Sequence, residues 1–329
     1  MTRKLEIGII GAGRVTSTFH LPILSSLNII SIKYVADIQT PKKLASYYKT
    51  EGIEIGDDLS LLPNCDVVLL ATPVGVRERY IHEFSKRGTA IFSEKPFALD
   101  LESHKRYLQL GNRVTCNYMR TCYSSIRQLK KIVASGMFGQ LKGAYVSEGG
   151  IQGATGIAKE HYRTKVELSG GGVLMETGCH TLSQLTYLLE DHEMSVHDAE
   201  LISEGEIDVH VGANLQVTGE NEFNIRFEIG SAKPLRNVCL FAFDNTMIQF
   251  DHTDPKSALR LAPTGKTKRV DLEITPTRAW ARTLNQAHYL KWRMFLDKLL
   301  SNQDIDAKSE TSLDTTRMIT EIREKGSKR

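Results

Sequence analysis

Residues 5–16 read LEIGIIGAGRVT, and this stretch decides the fold of the N-terminal part of the chain. Residues 5–10 form a nearly continuous apolar run, which is typical of a parallel strand that is buried on both faces. The run leads directly into a turn that contains Gly11 and Gly13, and an amphipathic stretch begins at Val15. This order predicts a buried strand, a tight turn and a helix, which together begin an open α/β sheet.

The same alternation continues to about residue 118. The predicted strands are short and mostly apolar, and they are residues 5–10, 30–36, 67–71, 90–92 and 114–117. The predicted helices are amphipathic, and they are residues 15–27, 42–50, 76–87 and 101–110. Strands that alternate with helices in this way predict a doubly wound parallel sheet of the α/β class.

The periodicity changes beyond a predicted helix at residues 124–134. Three later segments alternate between apolar and polar side chains, namely residues 209–217, 223–229 and 270–274. Such alternation is typical of antiparallel strands with one buried and one open face. A helical pattern returns around residues 280–300, and we expect the polar tail 324–329 to be frayed. We therefore predict an α/β domain over residues 1–118 and an α+β domain, with a mostly antiparallel sheet, over residues 119–329.

The composition excludes several classes of protein. The chain has 329 residues, of which 41% are hydrophobic and 25% charged, so it is long enough for about two domains with apolar cores. The 42 Lys and Arg residues against 39 Asp and Glu residues leave a net charge of +3, too small for a nucleic-acid binder. The longest apolar runs are far shorter than the roughly 18 residues of a membrane span, and we expect no secretory leader.

The cysteines indicate a reducing compartment. There are five of them, Cys65, Cys116, Cys122, Cys179 and Cys239, and none has CxxC spacing. An odd number at unrelated spacings predicts reduced thiols in a cytoplasmic protein. We interpret them as small buried residues, because none has the partner signature of a nucleophile.

The glycine turn has the features of a site for the phosphates of a dinucleotide. Gly11 allows a tight turn, and Gly13 removes a side chain so that the backbone can approach a pyrophosphate. The backbone N–H groups of Arg14 and Val15 lie at the predicted helix start, where the positive end of the helix dipole favours phosphate. Thr16 stands where the fingerprint has its third glycine, so an ordinary glycine-rich turn is the alternative.

Asp37 ends the second predicted strand, about 20 residues beyond the turn. A carboxylate at this place accepts hydrogen bonds from both hydroxyls of an adenosine ribose and repels a 2′-phosphate. This favours NAD as the cofactor, while Lys42 and Lys43 nearby leave NADP possible. A helix cap is the alternative role of Asp37.

Further motifs follow in a fixed order. They are Phe-His-Leu-Pro at residues 19–22, Val-Val-Leu-Leu-Ala-Thr-Pro at 67–73, Glu-Lys-Pro at 94–96, and Gly-Gly-Gly-Val-Leu-Met-Glu at 170–176 with Gly-Cys-His at 178–180. With the glycine turn, this set resembles the glucose–fructose oxidoreductase and inositol dehydrogenase family, known as Gfo/Idh/MocA, over about residues 5–190. The resemblance implies a Rossmann domain, a C-terminal domain with a large open-faced sheet, NAD or NADP, and a sugar or polyol substrate.

The resemblance has further implications and two exceptions. It implies cofactor contacts by four residues outside the glycine turn, namely Thr72, Pro73, Glu94 and Lys95. It also implies a homodimer or homotetramer in which open sheet faces of the C-terminal domains pack together. Glu176 stands where the family usually has Asp, and Val-Gly-Val-Arg at residues 74–77 stands where the family commonly has Asn-x-x-His.

Lys95 is the first candidate for catalysis. It follows the fifth predicted strand, and open α/β sheets bind their ligands at the carboxyl ends of the strands. Its ammonium can bind a substrate oxygen and stabilise negative charge that develops there. The resemblance suggests that the Lys95–Pro96 peptide bond is cis, which would direct Lys95 into the cleft. A surface lysine in a turn is the alternative.

Glu176 and His180 are four residues apart on a predicted helix, so they share one face. The buried side of this helix is assigned to Leu182, Leu185 and Leu189. An imidazole near its ordinary pKa suits reversible proton transfer, so His180 is predicted to be the general base and Glu176 to bind the substrate hydroxyl. We expect the three preceding glycines to let the helix N-terminus approach a ligand. A plain polar pair and half of a metal site are the alternatives, but HExxH and a third ligand are lacking, so no metal is predicted.

Three other residues are weaker candidates for substrate binding, namely Tyr118, Tyr162 and Arg163. They lie at the predicted domain boundary or just before the glycine run, where polar side chains can contact substrate hydroxyls. Arg120 is comparable. Packing against the protein's own sheet is the alternative for each of them.

These features predict a cytoplasmic NAD(P)-dependent oxidoreductase. It would transfer a hydride between the nicotinamide cofactor and a secondary alcohol or ketone of a sugar, polyol or sugar derivative. An enzyme of the same fold that cleaves glycosides while retaining NAD, and a non-catalytic nucleotide-binding regulator, are the alternatives. Neither a nucleic acid nor a membrane is an expected partner.

Overall fold

The computed structural model describes residues 3–111, 113–149, 161–219, 221–230, 234–265, 269–272 and 279–328. The chain divides into two compact units. The first consists of Met1–Tyr118 and Lys291–Leu313, and the second of Met119–Leu290 and Asp314–Arg329. We expected residues 119–329 to form one domain, whereas residues 291–313 pack within the first unit.

The strands are β1 (Leu5–Ile10), β2 (Ile30–Asp37), β3 (Glu51–Glu54), β4 (Val67–Leu70), β5 (Ala90–Ser93), β6 (Val114–Cys116), β7 (Leu141–Glu148), β8 (Glu193–Glu204), β9 (Ile207–Thr218), β10 (Phe223–Gly230), β11 (Val238–Phe243), β12 (Thr246–Phe250), β13 (Leu259–Pro263), β14 (Val270–Leu272) and β15 (Gly326–Lys328). The α-helices are α1 (Leu21–Ser25), α2 (Lys42–Tyr47), α3 (Arg77–Lys86), α4 (Leu101–Leu110), α5 (Ser124–Ser135), α6 (Val166–Ser169), α7 (Cys179–Leu188), α8 (Leu284–Leu300), α9 (Ala307–Glu310) and α10 (Leu313–Lys325).

The first unit is built on a parallel sheet. Within the described residues this sheet has six strands in the order β3-β2-β1-β4-β5-β6, and each pairing is parallel. This is the Rossmann order, and it confirms the predicted doubly wound sheet. The periodicity missed β3 because this edge strand reads Glu-Gly-Ile-Glu and carries almost no apolar signal.

The predicted helix at residues 15–27 has two parts. A π-helical turn spans Thr16–His20, and α1 follows directly at Leu21. Single π turns within helices are frequent at functional sites, because they change the direction in which side chains project.

Residues 291–313 join the first unit through aromatic packing. The ring of Trp292 stacks on Phe92 of β5, with the centroids 3.8 Å apart and the planes within 9° of parallel. Both rings belong to a buried cluster that also contains Ile7 and Phe295. Truncation of such a ring to alanine costs about 3–5 kcal/mol, so the C-terminal segment is an integral part of this core.

A buried ion cluster also holds this segment. The carboxylate of Glu310 lies 2.6 Å from the Lys298 ammonium and 3.4 Å from the Lys291 ammonium, and Thr115 of β6 donates a hydrogen bond to it at 2.7 Å. Burial by itself would raise the pKa of Glu310, but Lys291, Lys298 and Thr115 together lower it from 4.5 to about 2. The folded protein therefore favours the ionised carboxylate.

We expect Glu310→Gln to destabilise the protein by about 3 kcal/mol near neutral pH, because a pKa difference of about 2.5 units is worth that much. A carboxyl whose pKa is lowered on folding stabilises the protein above its unfolded pKa, and this stabilisation is lost as the pH falls. The difference in free energy of unfolding should therefore be constant down to about pH 5 and disappear by about pH 2. Urea titrations of both proteins across this range measure it.

Glu102→Gln is the matched control, since it removes an exposed ion pair with Lys105. Exposed pairs contribute little to stability, so this change should have a small effect at every pH. Equal effects of the two substitutions, without dependence on pH, would contradict the stabilising role of Glu310.

The second unit is built on a larger sheet. Within the described residues it has nine strands in the order β14-β13-β12-β11-β7-β10-β9-β8-β15. The β7–β10 and β8–β15 pairings are parallel and the others antiparallel. This confirms the predicted large, mostly antiparallel sheet.

The two faces of this sheet differ in burial. Phe241 and Phe243 of β11 are buried, whereas Leu240 between them is partly exposed, and Met247 of β12 is 44% exposed. The register of β11 thus directs both phenylalanines to the buried face. The apolar side chains that lie on the open face of this sheet are instead Leu240 and Met247.

The C-terminal tail differs from the expectation. Helix α10 continues to Lys325, and β15 pairs in parallel with residues 199–201 of β8. The predicted fraying is therefore wrong up to residue 328, because the edge of the sheet supplies backbone hydrogen-bond partners. Ile274, from the predicted strand 270–274, lies outside the described residues. No helix in the described ranges is both long and apolar enough to cross a membrane.

Candidate functional site

The cofactor residues predicted from sequence, and Tyr118 of the predicted substrate residues, lie at one edge of the first sheet. The glycine turn follows β1, Asp37 ends β2, Thr72 and Pro73 follow β4, Glu94 and Lys95 follow β5, and Tyr118 follows β6. These strands are parallel, so their carboxyl ends share an edge. This is the edge at which open α/β sheets bind ligands.

The two glycines of the turn have different roles. Gly11 has a φ of +100°, and a Cβ atom on it would lie 2.5 Å from the carbonyl oxygen of Ala71, so the fold itself requires glycine there. A Cβ atom on Gly13 would meet no atom of the described residues within 4 Å. Thr16, in place of the third glycine, donates a hydrogen bond from Oγ1 to the Gly11 carbonyl at 2.6 Å and closes the turn.

Asp37 is connected directly to the glycine turn. Its Oδ2 atom accepts a hydrogen bond from the Ala12 backbone N–H at 2.6 Å. This hydrogen bond keeps one oxygen of the carboxylate beside the glycine turn. A carboxylate held in this manner is able to accept ribose hydroxyls and to repel a 2′-phosphate.

The turn that carries Lys95 is held by a buried network. The Lys95–Pro96 peptide bond is cis, as the family resemblance suggests. The side chain of Glu94 accepts a hydrogen bond from Asn117 Nδ2 at 2.6 Å, and its other carboxylate oxygen accepts one from the Lys95 N–H at 3.3 Å. Glu94 therefore faces its own turn and β6, and it supports the backbone of Lys95.

His20 extends this network to the C-terminal segment. The indole Nε1–H of Trp292 donates to His20 Nδ1 at 2.9 Å, so His20 Nε2 carries the ring proton and donates to Glu94 Oε1, also at 2.9 Å. These residues are far apart in sequence, and we did not predict their connection. The Phe-His-Leu-Pro motif contained His20, but local sequence gives no sign of its partners.

In the second unit, Glu176 and His180 lie on consecutive helical segments. A π turn spans Leu174–Gly178 and carries Glu176, and α7 begins at Cys179. His180 is 7% exposed, and the three leucines assigned to the buried side of the helix are all buried. Burial is not confined to this side, however, since Thr181, Ser183 and Gln184 are buried as well.

The N-terminus of this helical segment is capped by the protein itself. The Asp208 carboxylate on β9 accepts hydrogen bonds from the N–H groups of Gly172 at 3.0 Å and Leu174 at 2.8 Å. A Cβ atom on Gly172 would lie 1.8 Å from the Asp208 carbonyl oxygen, so glycine is needed for this close approach. We expected the glycines to open the helix N-terminus to a ligand. That expectation is wrong, since Asp208 occupies this place.

Glu176 pairs with one of the predicted substrate residues. The guanidinium of Arg163 lies 2.7 Å from Glu176 Oε1, and both side chains are partly exposed. Burial opposes the charge on Arg163, but Glu176 beside it raises the pKa of the guanidinium. Tyr162 is 36% exposed, whereas Tyr118 in the first unit is 2% exposed.

Arg120 has a partner within its own unit. Its guanidinium binds both carboxylate oxygens of Glu148, at 2.8 and 3.0 Å, and Thr181 of α7 donates to Glu148 at 2.7 Å. Burial would raise the pKa of Glu148, but Arg120 lowers it, so the pair is ionised. Arg120 therefore fixes Glu148, which in turn accepts the hydrogen bond of Thr181, the residue that follows His180. We assign Arg120 a structural role.

Two family models match the chain. Residues 5–121 match the oxidoreductase family with an NAD-binding Rossmann fold, which agrees with the glycine turn and sheet order described above. Residues 126–245 match the GFO/IDH/MocA C-terminal domain. The chain belongs to the Gfo/Idh/MocA family, and this confirms the resemblance seen in its motifs.

Several curated proteins are similar over part of their length. The uncharacterized oxidoreductase YrbE of Bacillus subtilis is 29% identical over 147 residues, which are 42% of each chain. D-glucoside 3-dehydrogenase of Escherichia coli is 25% identical over 192 residues, 56% of this chain and 54% of the relative. Inositol 2-dehydrogenase of Rhodococcus jostii is 28% identical over 149 residues, 43% of this chain and 40% of the relative. The chain spans about half the length of the curated relatives it matches.

Solved structures resemble the whole chain. A 3-ketoreductase from Actinomadura kijaniata in complex with NADP and TDP-benzene has a TM-score of 0.82 and 18% identity, with 99% of both chains covered. An aldose-aldose oxidoreductase from Caulobacter crescentus, complexed with glycerol, has a TM-score of 0.79 and 18% identity, with 98% of both chains covered. At these identities the likeness establishes the fold, and it confirms the predicted fold class.

Proposed function

We propose that this protein is an NAD-dependent oxidoreductase that acts on a secondary alcohol or ketone of a sugar, polyol or sugar derivative. The observation that carries this proposal is the position of Lys95. It follows β5 on a turn supported by Glu94, at the same sheet edge as the glycine turn and Asp37. The similarity to D-glucoside 3-dehydrogenase and inositol 2-dehydrogenase supports a sugar-like substrate.

In the proposed reaction each protein group has one task. A bound NAD would supply the acceptor for the hydride of the carbinol carbon, and with it the two-electron oxidation of the substrate. His180 takes the hydroxyl proton, and its burial shields this transfer from bulk water. Lys95 donates a hydrogen bond to the same oxygen and stabilises the negative charge that develops on it. In the reverse direction, His180 returns the proton to the oxygen.

The remaining polar groups orient the substrate. Glu176 binds the reacting hydroxyl, and its ion pair with Arg163 holds the carboxylate in position. We assign contacts with other substrate hydroxyls to Tyr162, Arg163 and Tyr118. We assign the cofactor contacts to the glycine turn with Arg14 and Val15, to Asp37, and to Thr72, Pro73 and Lys95. Glu94 was predicted with this group, but its buried carboxylate already binds His20 and Asn117, so we assign it the support of the Lys95 turn.

The function is tested by incubating the protein with NAD and a panel of sugars, polyols and nucleotide sugars, and by following NADH absorbance. At least one compound should give NADH in repeated turnovers. Product formation without net NADH, with cofactor retained through purification, would instead indicate an enzyme that oxidises its sugar only transiently. Tight NAD binding without turnover on any compound would contradict an oxidoreductase and favour a regulator.

The protein should bind NAD more tightly than NADP, because the Asp37 carboxylate, which is hydrogen-bonded to the glycine turn, can accept ribose hydroxyls and would repel a 2′-phosphate. Asp37→Ser should weaken NAD binding by about tenfold or more, since it removes a charge-assisted hydrogen bond, and should relatively favour NADP. Isothermal titration of both cofactors measures this change. Asp58→Ser, at an exposed turn of the same unit, is the control, and tighter NADP binding by the unmodified protein would contradict the role of Asp37.

We also propose a homodimer or homotetramer formed through the open face of the second sheet. The partly exposed apolar side chains Leu240 and Met247 lie on this face, and self-association would remove them from water. Light scattering at micromolar concentration should give a multiple of the chain mass. A monomeric mass would contradict this arrangement.

A further inference from the structure

Arg77 is a buried charged residue at the start of α3. Its side chain is 1% exposed, and burial lowers the pKa of its guanidinium. A buried charge is costly unless it is well hydrogen-bonded. An apolar side chain of similar length would avoid this cost, but it could not make the hydrogen bonds of the Arg77 guanidinium.

The guanidinium donates to backbone carbonyls of two strand ends. Nη1 donates to the carbonyl oxygens of Glu94 at 2.6 Å, of Pro96, and of Phe97 at 3.5 Å. Nη2 donates to the carbonyl oxygen of Thr72 at 2.6 Å. Thr72 follows β4 and the other three residues follow β5. One rigid planar group therefore joins the ends of two neighbouring strands at the edge of the candidate site.

Lys95 lies between two of these acceptors. The Glu94 carbonyl belongs to the peptide group that precedes Lys95, and the Pro96 carbonyl lies just beyond it. Both are held by the same nitrogen of Arg77. The direction of a side chain follows from the orientation of the backbone at its Cα atom. Arg77 therefore holds the backbone on both sides of the Lys95 Cα atom.

We propose that Arg77 is a positioning residue that directs Lys95 at the reacting oxygen of the substrate. This rests on the proposed function, in which Lys95 contacts that oxygen. Arg77 acts through the backbone and takes no part in proton or hydride transfer. The planar fork matters because its two Nη nitrogens donate in fixed directions to the ends of β4 and β5, whereas the donors of a lysine all lie on one nitrogen at the end of a flexible stem.

Arg77→Lys tests this assignment because it keeps the charge and changes only the shape of the donor group. We expect kcat to fall by about a hundredfold, the effect of misplacing a reacting group by about 1 Å, with a much smaller change in KM. Arg79→Lys is the matched control on the same helix. Arg79 is exposed, donates to the Gly56 carbonyl and lies over the ring of Tyr80, and it has no role in the proposed positioning of Lys95, so kcat should not change.

A double-mutant cycle separates positioning from a general structural effect. If Arg77 acts through Lys95, Arg77→Lys should cost almost nothing further in a Lys95→Ala protein, because residues that act as a unit are strongly non-additive. An equal loss of kcat in both backgrounds would overturn the proposal. Failure of the Arg77→Lys protein to fold would also overturn it, since the role of Arg77 would then be in folding.

A second measurement does not depend on turnover. Limited acetylation followed by peptide mass spectrometry gives the rate of modification of Lys95 relative to exposed Lys105, with Arg77→Met as a second variant. Both Arg77 variants should change the relative rate at Lys95. If this rate changes while the unmodified protein oxidises no sugar, the proposed function fails and the positioning role of Arg77 stands. Unchanged kcat together with unchanged Lys95 acetylation would overturn the positioning role.

Discussion

Lys95→Ala and His180→Ala should each lower turnover at least about a hundredfold, the smaller end of the range for a positioned proton-transfer group or oxyanion stabiliser. Lys95→Ala removes the donor that stabilises charge on the substrate oxygen. His180→Ala removes the group that takes its proton. Steady-state kinetics with a substrate that the unmodified protein oxidises, following NADH formation, measure both effects.

NAD binding distinguishes a lost catalytic group from a general loss of structure. NAD binding should survive in the His180→Ala protein, because His180 belongs to α7 of the second unit and the glycine turn to the first. Lys105→Ala and His197→Ala, at exposed positions, are the matched controls and should keep normal turnover. Near-normal turnover in both active-site variants would remove the catalytic roles proposed for Lys95 and His180.

Glu176→Asp should lower kcat on the order of a hundredfold. It keeps the charge and matches the residue that the family usually has, but it shortens the side chain by one methylene, and a misplacement of about 1 Å is sufficient for a loss of this size. The change should also loosen the ion pair with Arg163, now at 2.7 Å. Measurement of kcat and KM on the same substrate tests it.

Because this ion pair is partly exposed, the experiment can separate an effect on activity from an effect on stability. Partly exposed ion pairs contribute little to stability, so Glu176→Asp should leave the melting temperature nearly unchanged. Glu190→Asp is the control, because Glu190 also forms an ion pair in the second unit, in its case with Lys130. Full activity of the Glu176→Asp protein would mean that Glu176 is only a solvated partner of Arg163.

Local sequence pattern was sufficient for most of the first sheet. The predicted strand at residues 5–10 and helix at residues 101–110 have the bounds seen in the structure, because apolar runs and amphipathic periodicity report directly on burial. β3 was missed because an exposed edge strand has little apolar signal. The domain assignment of residues 291–313 could not be read locally either, since nothing in a helical pattern states which sheet it packs on.

For the candidate site, too, some residues could be predicted from local sequence and others could not. The glycine turn, Asp37, Lys95, Glu176 and His180 could be proposed from sequence, because each lies in a short motif whose residue types suit a particular chemistry. Their supports were not found. Arg77, Asp208 and the His20–Trp292 pair are single polar residues inside regular elements, and their partners are distant in the chain.

The sequence by itself determined the family, the Rossmann sheet and the identity of the residues proposed to react, since these depend on periodicity and on motifs of a few neighbouring residues. Only the tertiary structure decided how those residues are held. The Asp208 carboxylate accepts hydrogen bonds at the start of the helical segment that carries Glu176. The Arg77 guanidinium donates to the backbone of the turn that carries Lys95. In both cases the two partners belong to different elements. Such contacts exist only after the chain has folded, because a buried polar group selects its partner by geometry and not by its place in the sequence.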